Sequence, residues 1–364
     1  MAGQSLALTR STQREFAVAY QINPAHSGHV VFASGFNPPL TKLWSRDFSG
    51  SYYGATYPLI ADGKVFMVAY GNDVYALNTQ TGDTVWEHLF SGSGFQPAYD
   101  NGMLFLTDDS GRITSLNAKN GRQRWSVLPN GATTAHAAPI AVNGIVYTTA
   151  VSNSSLAVYG IDETSGAQKW WNLVGNSDYV TPAYGDGGVY LSYPCNDYRF
   201  SAVNGALDWH YTMDGCYGGS GNTPTYYRKR LYADDSANDV LDADTGKLLG
   251  GYPGSGAAAF FRGSDKRSYL VTAANGNLYC VDVRRGTVAW NYALSSGIGG
   301  NPIVVNNIVL VPSYDGHLSA LDGMTGAELW KGSVGNYGSD ASLAAGDGVI
   351  AVLDQGILTV FAPQ

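Results

Sequence analysis

Apolar residues in this chain come in short runs separated by Gly, Asn or Asp, and the runs recur in fours. One copy reads Pro139-Ile-Ala-Val-Asn-Gly144, Ile145-Val-Tyr-Thr-Thr149, Leu156-Ala-Val-Tyr-Gly-Ile-Asp162 and, after Thr164-Ser-Gly166, Ala167-Gln-Lys-Trp170. Such runs, rich in β-branched and aromatic residues and divided by turn formers, predict a four-stranded antiparallel meander. The order recurs from Pro58 to Trp86, Pro97 to Trp125, Pro182 to Trp209, Pro224 to Leu249 and Pro302 to Trp330, with a degenerate copy from Ala258 to Trp290. Trp44, Trp86, Trp125, Trp170, Trp209, Trp290 and Trp330 fall 42, 39, 45, 39, 81 and 40 residues apart, so one beat of the period is silent. Leu249 reads as the residue in that silent position. A period in this range means stacked or radial repeats.

The turn before each fourth run is the most regular part. Asn78 to Gly82, Asn117 to Gly121, Asp162 to Gly166, Asp242 to Gly246, Asp282 to Gly286 and Asp322 to Gly326 all read Asx-x-x-x-Gly. An Asx side chain bonds the backbone two residues on, and Gly takes the positive φ that closes the turn. The fourth copy reads as a tighter hairpin at Asn204-Gly205. Four-stranded sheets repeated radially form a β-propeller, which leaves few exposed edges. The last copy, Ala341 to Phe361, has three strand-like runs, whereas Leu43 to Phe48 is a lone fourth run. The chain is thus expected to be all-β: an eight-bladed propeller over 21–364, its last blade closed by the N-terminal strand, behind a flexible segment at 1–20. The repeated Trp reads as a wedge between blades, since residues spaced round a ring do not converge on a cofactor.

Charge removes some function classes. The formal balance is -8 with 14% charged residues, whereas nucleic-acid domains carry a basic stripe. The one tight basic cluster, Arg228-Lys229-Arg230, reads as a solvated turn tip. No apolar run is long enough to span a bilayer as a helix. A monomer is expected.

The Asx-Ala-x-Thr-Gly-x-x-x-Trp pattern resembles the pyrroloquinoline-quinone-like (PQQ-like) propeller repeats with their tryptophan-docking motif, over Gln21 to Phe361. Asn23-Pro-Ala-His26-Ser-Gly28 is similar to the segment that opens many exported bacterial members. The resemblance implies two kinds of function, quinone-dependent dehydrogenase or non-catalytic assembly scaffold, and fold does not choose between them. The dehydrogenases resemble one another in a vicinal Cys pair over the quinone and in long loops carrying a calcium carboxylate set. Cys195, Cys216 and Cys280 are nowhere adjacent and the loops are short. No quinone is expected.

In a propeller meander the loops between second and third strands and between blades share one face, and the Asx turns lie opposite. The irregular loops therefore gather on one face, where function usually sits. Tyr52, Tyr53, Tyr57, Phe95, Tyr179, Tyr217, Tyr314 and Tyr337 would wall a shallow funnel there, with Arg46 near its mouth; caps on the blade ends are the alternative for each. Tyr with Gly and Ser suits a protein, glycan or small organic partner. His136, Asp178 and Asp340 fall at like points of their blades and form a candidate acid/base set, against the plainer role of solvating the channel. Asp234-Asp235 with Asn238-Asp239 is acidic enough for calcium but lacks the spacing of a dedicated loop, so no metal is assigned. Cys195 and Cys216 fall in loops of one face of one blade and are expected to form a disulfide, which implies export, with a targeting segment absent from this chain; the alternative is a cytoplasmic protein with free thiols. Cys280 reads as a core thiol. The expected function is an exported, non-catalytic binding or scaffold propeller. The competing expectation is a lyase, cyclase or hydrolase acting in the axial funnel through His136 and nearby Asp.

Overall fold

The computed structural model describes residues 15–49, 56–69, 73–90, 94–175, 180–216, 223–234, 237–335 and 341–364. Every named element is a strand, and the strands form eight separate sheets. The chain is an eight-bladed β-propeller. Each blade runs from a short inner strand to an outer one, as in Leu59–Ala61, Lys64–Val68, Asp73–Asn78 and Thr84–Leu89. Middle strands are mostly buried, as in Met103–Thr107, while most outer strands alternate, as in Thr84–Leu89. That is the pattern expected when blades pack face to face and only their rims meet water.

The last blade is closed as the sequence implies. Leu40–Asp47 pairs antiparallel with Ile357–Pro363, outside Val349–Asp354 and Ser342–Gly346. The described part of the segment assigned to a flexible start, 15–20, is bonded to the ring. Glu15 O accepts from Asp347 N in the last blade, Ala17 bridges Ile60 in the first, and Val18 O accepts from Tyr99 N in the second. Farther on, Pro24, Ala25, Ser27 and Gly28 accept from Tyr184, Tyr226, Phe260 and Val304 in the fourth to seventh blades. Inner strands present unpaired N–H groups to the axis, and buried donors must find acceptors. This strap supplies them, so the chain's own N-terminal segment lines the inner strands of seven blades. His26 anchors it without exposure, its two ring nitrogens 2.7 and 2.8 Å from Tyr20 O and Pro182 O.

Tryptophans lock six of the blade seams in one way. Trp44, Trp86, Trp125, Trp170, Trp209 and Trp290 each lie on the turn glycine of the next blade, from Gly82 to Gly326, where an added methyl would come within 2.4–2.8 Å of the indole. Each indole N–H donates to a carbonyl in that turn at 2.9–3.2 Å. The fourth blade is no exception: Gly205 N donates to Ser201 O at 2.8 Å, matching Gly82 N to Asn78 O at 2.9 Å. Ser201 replaces the Asx, and the hairpin is not tightened. Trp330 closes the seam to the last blade edge-on against Phe361, 5.7 Å between centroids.

The silent seam lies between the fifth and sixth blades, and its occupant differs from the expectation. Val240 pairs with Gly250 and Leu241 with Leu248, leaving Leu249 in the bulge. In the first blade Ala76 pairs with Trp86 and Leu77 with Thr84, with Val85 in the bulge. Gly250, not Leu249, therefore holds the tryptophan position. Hydrophobicity pointed one residue short because the bulge is invisible in composition.

Candidate functional site

Backbone hydrogen bonds sort the loops by face. Turns between first and second strands hold the Asx turns, as in Thr79 N to Gly63 O and Ala118 N to Gly102 O. On the other face, loops between blades bond the turns between second and third strands, as in Met213 N to Cys195 O and Val334 N to Gly316 O. Cys195 and Cys216 are joined there as a disulfide, with Cα atoms 5.4 Å apart. Cys280 is a buried thiol in the sixth blade, its pKa pushed up to about 12 by burial.

At the axis this face holds a recess of about 230 Å³ between Tyr20, Gln21, Tyr57, Asn301 and Ser342. The Tyr20 hydroxyl accepts from Asn301 Nδ2 at 2.7 Å and the two tyrosine rings meet at 5.3 Å. Tyr57 donates to Pro97 O at 2.6 Å, and burial raises its pKa well above the ordinary range. The recess is neutral and polar among the described residues. A neighbouring one of about 330 Å³ opens between the sixth and seventh blades beside Asn275, Ile298 and Tyr314.

Several of the expected site residues separate. Tyr57 and Phe95 are buried caps, the latter with its ring 4.7 Å from that of Phe90, whereas Tyr314 is 46% exposed. Arg46 lies on the outer strand of the last blade, against Phe48 and Tyr75, and bonds Thr84 at 2.7 Å. It is at the rim, away from the funnel mouth. Tyr52, Tyr53, Asp178, Tyr179, Tyr217, Tyr337 and Asp340 lie outside the described residues. His136 is exposed, with Nδ1 2.9 Å from Asp109 Oδ1 in the turn of the preceding blade. Among the described residues no three His, Cys, Asp or Glu converge as metal ligands. Asp239 instead accepts from the Tyr211 hydroxyl, and Asn238 donates to Gly254 O.

Sequence reasoning missed Asp109 and Asp315, because it compared like positions of successive blades rather than neighbours across a seam. Asp315 accepts from Ser313, and with His317 and Lys331 nearby its pKa falls to about 2. The usable signal was an acid in the short second-to-third-strand turn, as in Asp108-Asp109-Ser-Gly111 and Asp315-Gly316. No helix in the described residues is long and apolar enough to cross a membrane.

With the ring and its loops in view, comparison with known proteins narrows the family. The model described as outer membrane protein assembly factor BamB matches residues 41–94, 90–215 and 239–364. The chain is 24% identical to outer membrane protein assembly factor BamB of Shewanella oneidensis over 81% of this chain and 82% of that one. In fold it is similar to BamB of Moraxella catarrhalis (TM-score 0.68, 17% identity, 89% of this chain and 100% of that one). It is also similar to a europium-containing methanol dehydrogenase (TM-score 0.76, 15% identity, 96% and 98%). Likeness at those identities speaks for the ring alone. Repeats, seams and matched span together make this chain a member of the BamB-type family of PQQ-like propellers.

Proposed function

We propose that this protein is a non-catalytic binding propeller that acts in outer-membrane protein assembly, presenting its irregular face to a protein partner. The observation that carries the reading is the axis. The chain's own strap lines the axial ends of the blades, leaving a small neutral recess in which the Tyr20 hydroxyl and Asn301 bond each other and Tyr57 bonds the backbone of Pro97. Catalytic sites gather perturbed ionisable groups in a concave pocket, and the described residues of this recess contribute none beyond tyrosines. A resident quinone is also poorly supported, since no two cysteines are adjacent. The disulfide favours an oxidising compartment, hence export. Relatives named as outer membrane assembly factors point the same way.

The acid/base reading finds less support, because His136 is exposed and pairs with Asp109. Loss of a measurable turnover in His136→Ala would restore it. The direct test is site-specific photocrosslinking in cells. A crosslinker at Tyr314, on the irregular face, is expected to capture an outer-membrane assembly protein; one at Thr81, on an Asx turn, is not. Capture from Thr81 alone would overturn the assignment of faces.

A further inference from the structure

The open seam has the marks of a second binding site. Over the other turn glycines an indole closes the surface, and Gly82, Gly121, Gly166, Gly205, Gly246 and Gly326 are buried or half-buried. Gly286 is exposed, and a methyl added to it or to Gly250 would meet nothing within 4 Å among the described residues. Both halves of the lock are thus bare. The carbonyl that would receive the indole N–H is Val283 O, by its place one residue after Asp282. It accepts instead from Arg230 Nη1 at 3.3 Å, longer than the six indole bonds. Deeper in, the seam is well packed: Phe260 lies 4.6 Å from both Tyr227 and Tyr232. The vacancy is therefore a surface seat on a firm base.

Its surroundings define the occupant. Leu248–Gly251, the outer strand of the fifth blade, is exposed at all four residues, and its free edge can accept another strand. Nine of the chain's 21 lysines and arginines fall between Arg228 and Arg285, in a protein of formal charge -8. Lys247 stands on one side of the seat, Arg284 and Arg285 on the other, all exposed. Arg285 pairs with Asp282 at 3.5 Å; neither Lys247 nor Arg284 forms an ion pair among the described residues. We propose that this seam binds an extended acidic protein segment along Leu248–Gly251, with a Trp side chain in the seat on Gly286 and carboxylates on Lys247, Arg284 and Arg285. The basic rim selects the charge, and the six filled seams of the same molecule define the shape.

The test uses fluorescein-labelled peptides of Glu and Ser with one central Trp, read by anisotropy on the whole protein. The Trp peptide is expected to bind at least about tenfold tighter than its Trp→Ala version, as truncation of a buried aromatic anchor does. The exposed double variant R284E/R285E should weaken binding at least about tenfold with the melting temperature unchanged. Gly286→Asn keeps the left-handed turn, which Asn tolerates, and should abolish the Trp-over-Ala preference. Equal affinity for the two peptides would overturn the proposal, as would a preference that survives in both variants. Displacement of the peptide by vesicles of anionic phospholipid would assign the patch to lipid instead. Concentration-dependent dimers that lose peptide binding would assign the seat to a second copy.

Discussion

Two seams of one ring teach what the tryptophan is for. Between the sixth and seventh blades Trp290 is 8% exposed, rests on Gly326 and donates to Gly323 O at 2.9 Å. Between the fifth and sixth, Gly250 faces Gly286 and the outer layer is missing. Both seams nevertheless hold. The inner half carries the second: Tyr227, Tyr232 and Phe260 form a compact aromatic group with Val240 and Leu270. Adhesion between blades is thus divided into an inner packing layer and an outer lock, and only the lock is dispensable. A large ring contributes about 150–250 Å² of buried area, so discarding one leaves apolar backbone and neighbours uncovered unless something else covers them.

The comparison breaks most visibly when a lock is removed where it exists. Trp290→Ala is expected to cost about 3–5 kcal/mol, the range for deleting a buried large aromatic, and to leave the Gly323 carbonyl short of a donor. The matched change Leu249→Ala, at an exposed bulge residue, should stay within about 0.5 kcal/mol. Paired denaturant unfolding curves check both. Comparable losses would mean that Leu249 does carry the seam and that the register argument is wrong.

A gentler cut acts on the glycines. Gly121→Ala puts a methyl 2.7 Å from the Trp86 ring and also strains a backbone at φ 70. Gly286→Ala, at φ 67, meets open space and keeps only the strain. The first is expected to lose about 2–4 kcal/mol, combining overpacking and strain, the second about 1 kcal/mol. The difference between the two melting temperatures isolates the lock from the turn. Equal losses would imply that the indole yields freely and is no wedge.

How much of this could be read from the chain follows from what each feature depends on. The eight blades and the closing strand were legible because turn chemistry and strand alternation are local and recur. The identity of Gly250 was not, because a bulge moves register without altering composition, and Leu249 beside it looked the better candidate. The strap was missed for a related reason. Glu15 to Gly28 has no period, and its backbone pairs with inner strands far away in sequence, such as Ala17 with Ile60 and Ser27 with Phe260. The His136–Asp109 pair needed two blades docked side by side before it could be seen.

The seam between the second and third blades offers the finest probe, because its docking turn has a buried glutamate as the residue whose carbonyl receives the indole N–H. Glu163 is 1% exposed in the turn Asp162 to Gly166, and its backbone carbonyl receives the Trp125 N–H at 2.9 Å. Burial, with the Asp100 carboxylate across the seam, raises its pKa from 4.5 to about 8. The folded protein therefore keeps a proton there that the unfolded chain releases near the ordinary value. Wherever the folded state holds more protons, stability falls as pH rises. The expected signature is full stability below about pH 4.5, a progressive loss up to about pH 8 and no further change from this group above it. Glu163→Gln, neutral at every pH, should flatten that slope and raise the melting temperature relative to wild type at pH 8. The docking turn of the first blade has the uncharged Thr79 at the position of Glu163, where its carbonyl likewise receives an indole N–H, so Thr79→Val, which removes no titrating group, is the control. If the Gln variant retains the wild-type slope, the proton sits elsewhere, and the docking turns are electrically silent as well as structurally alike.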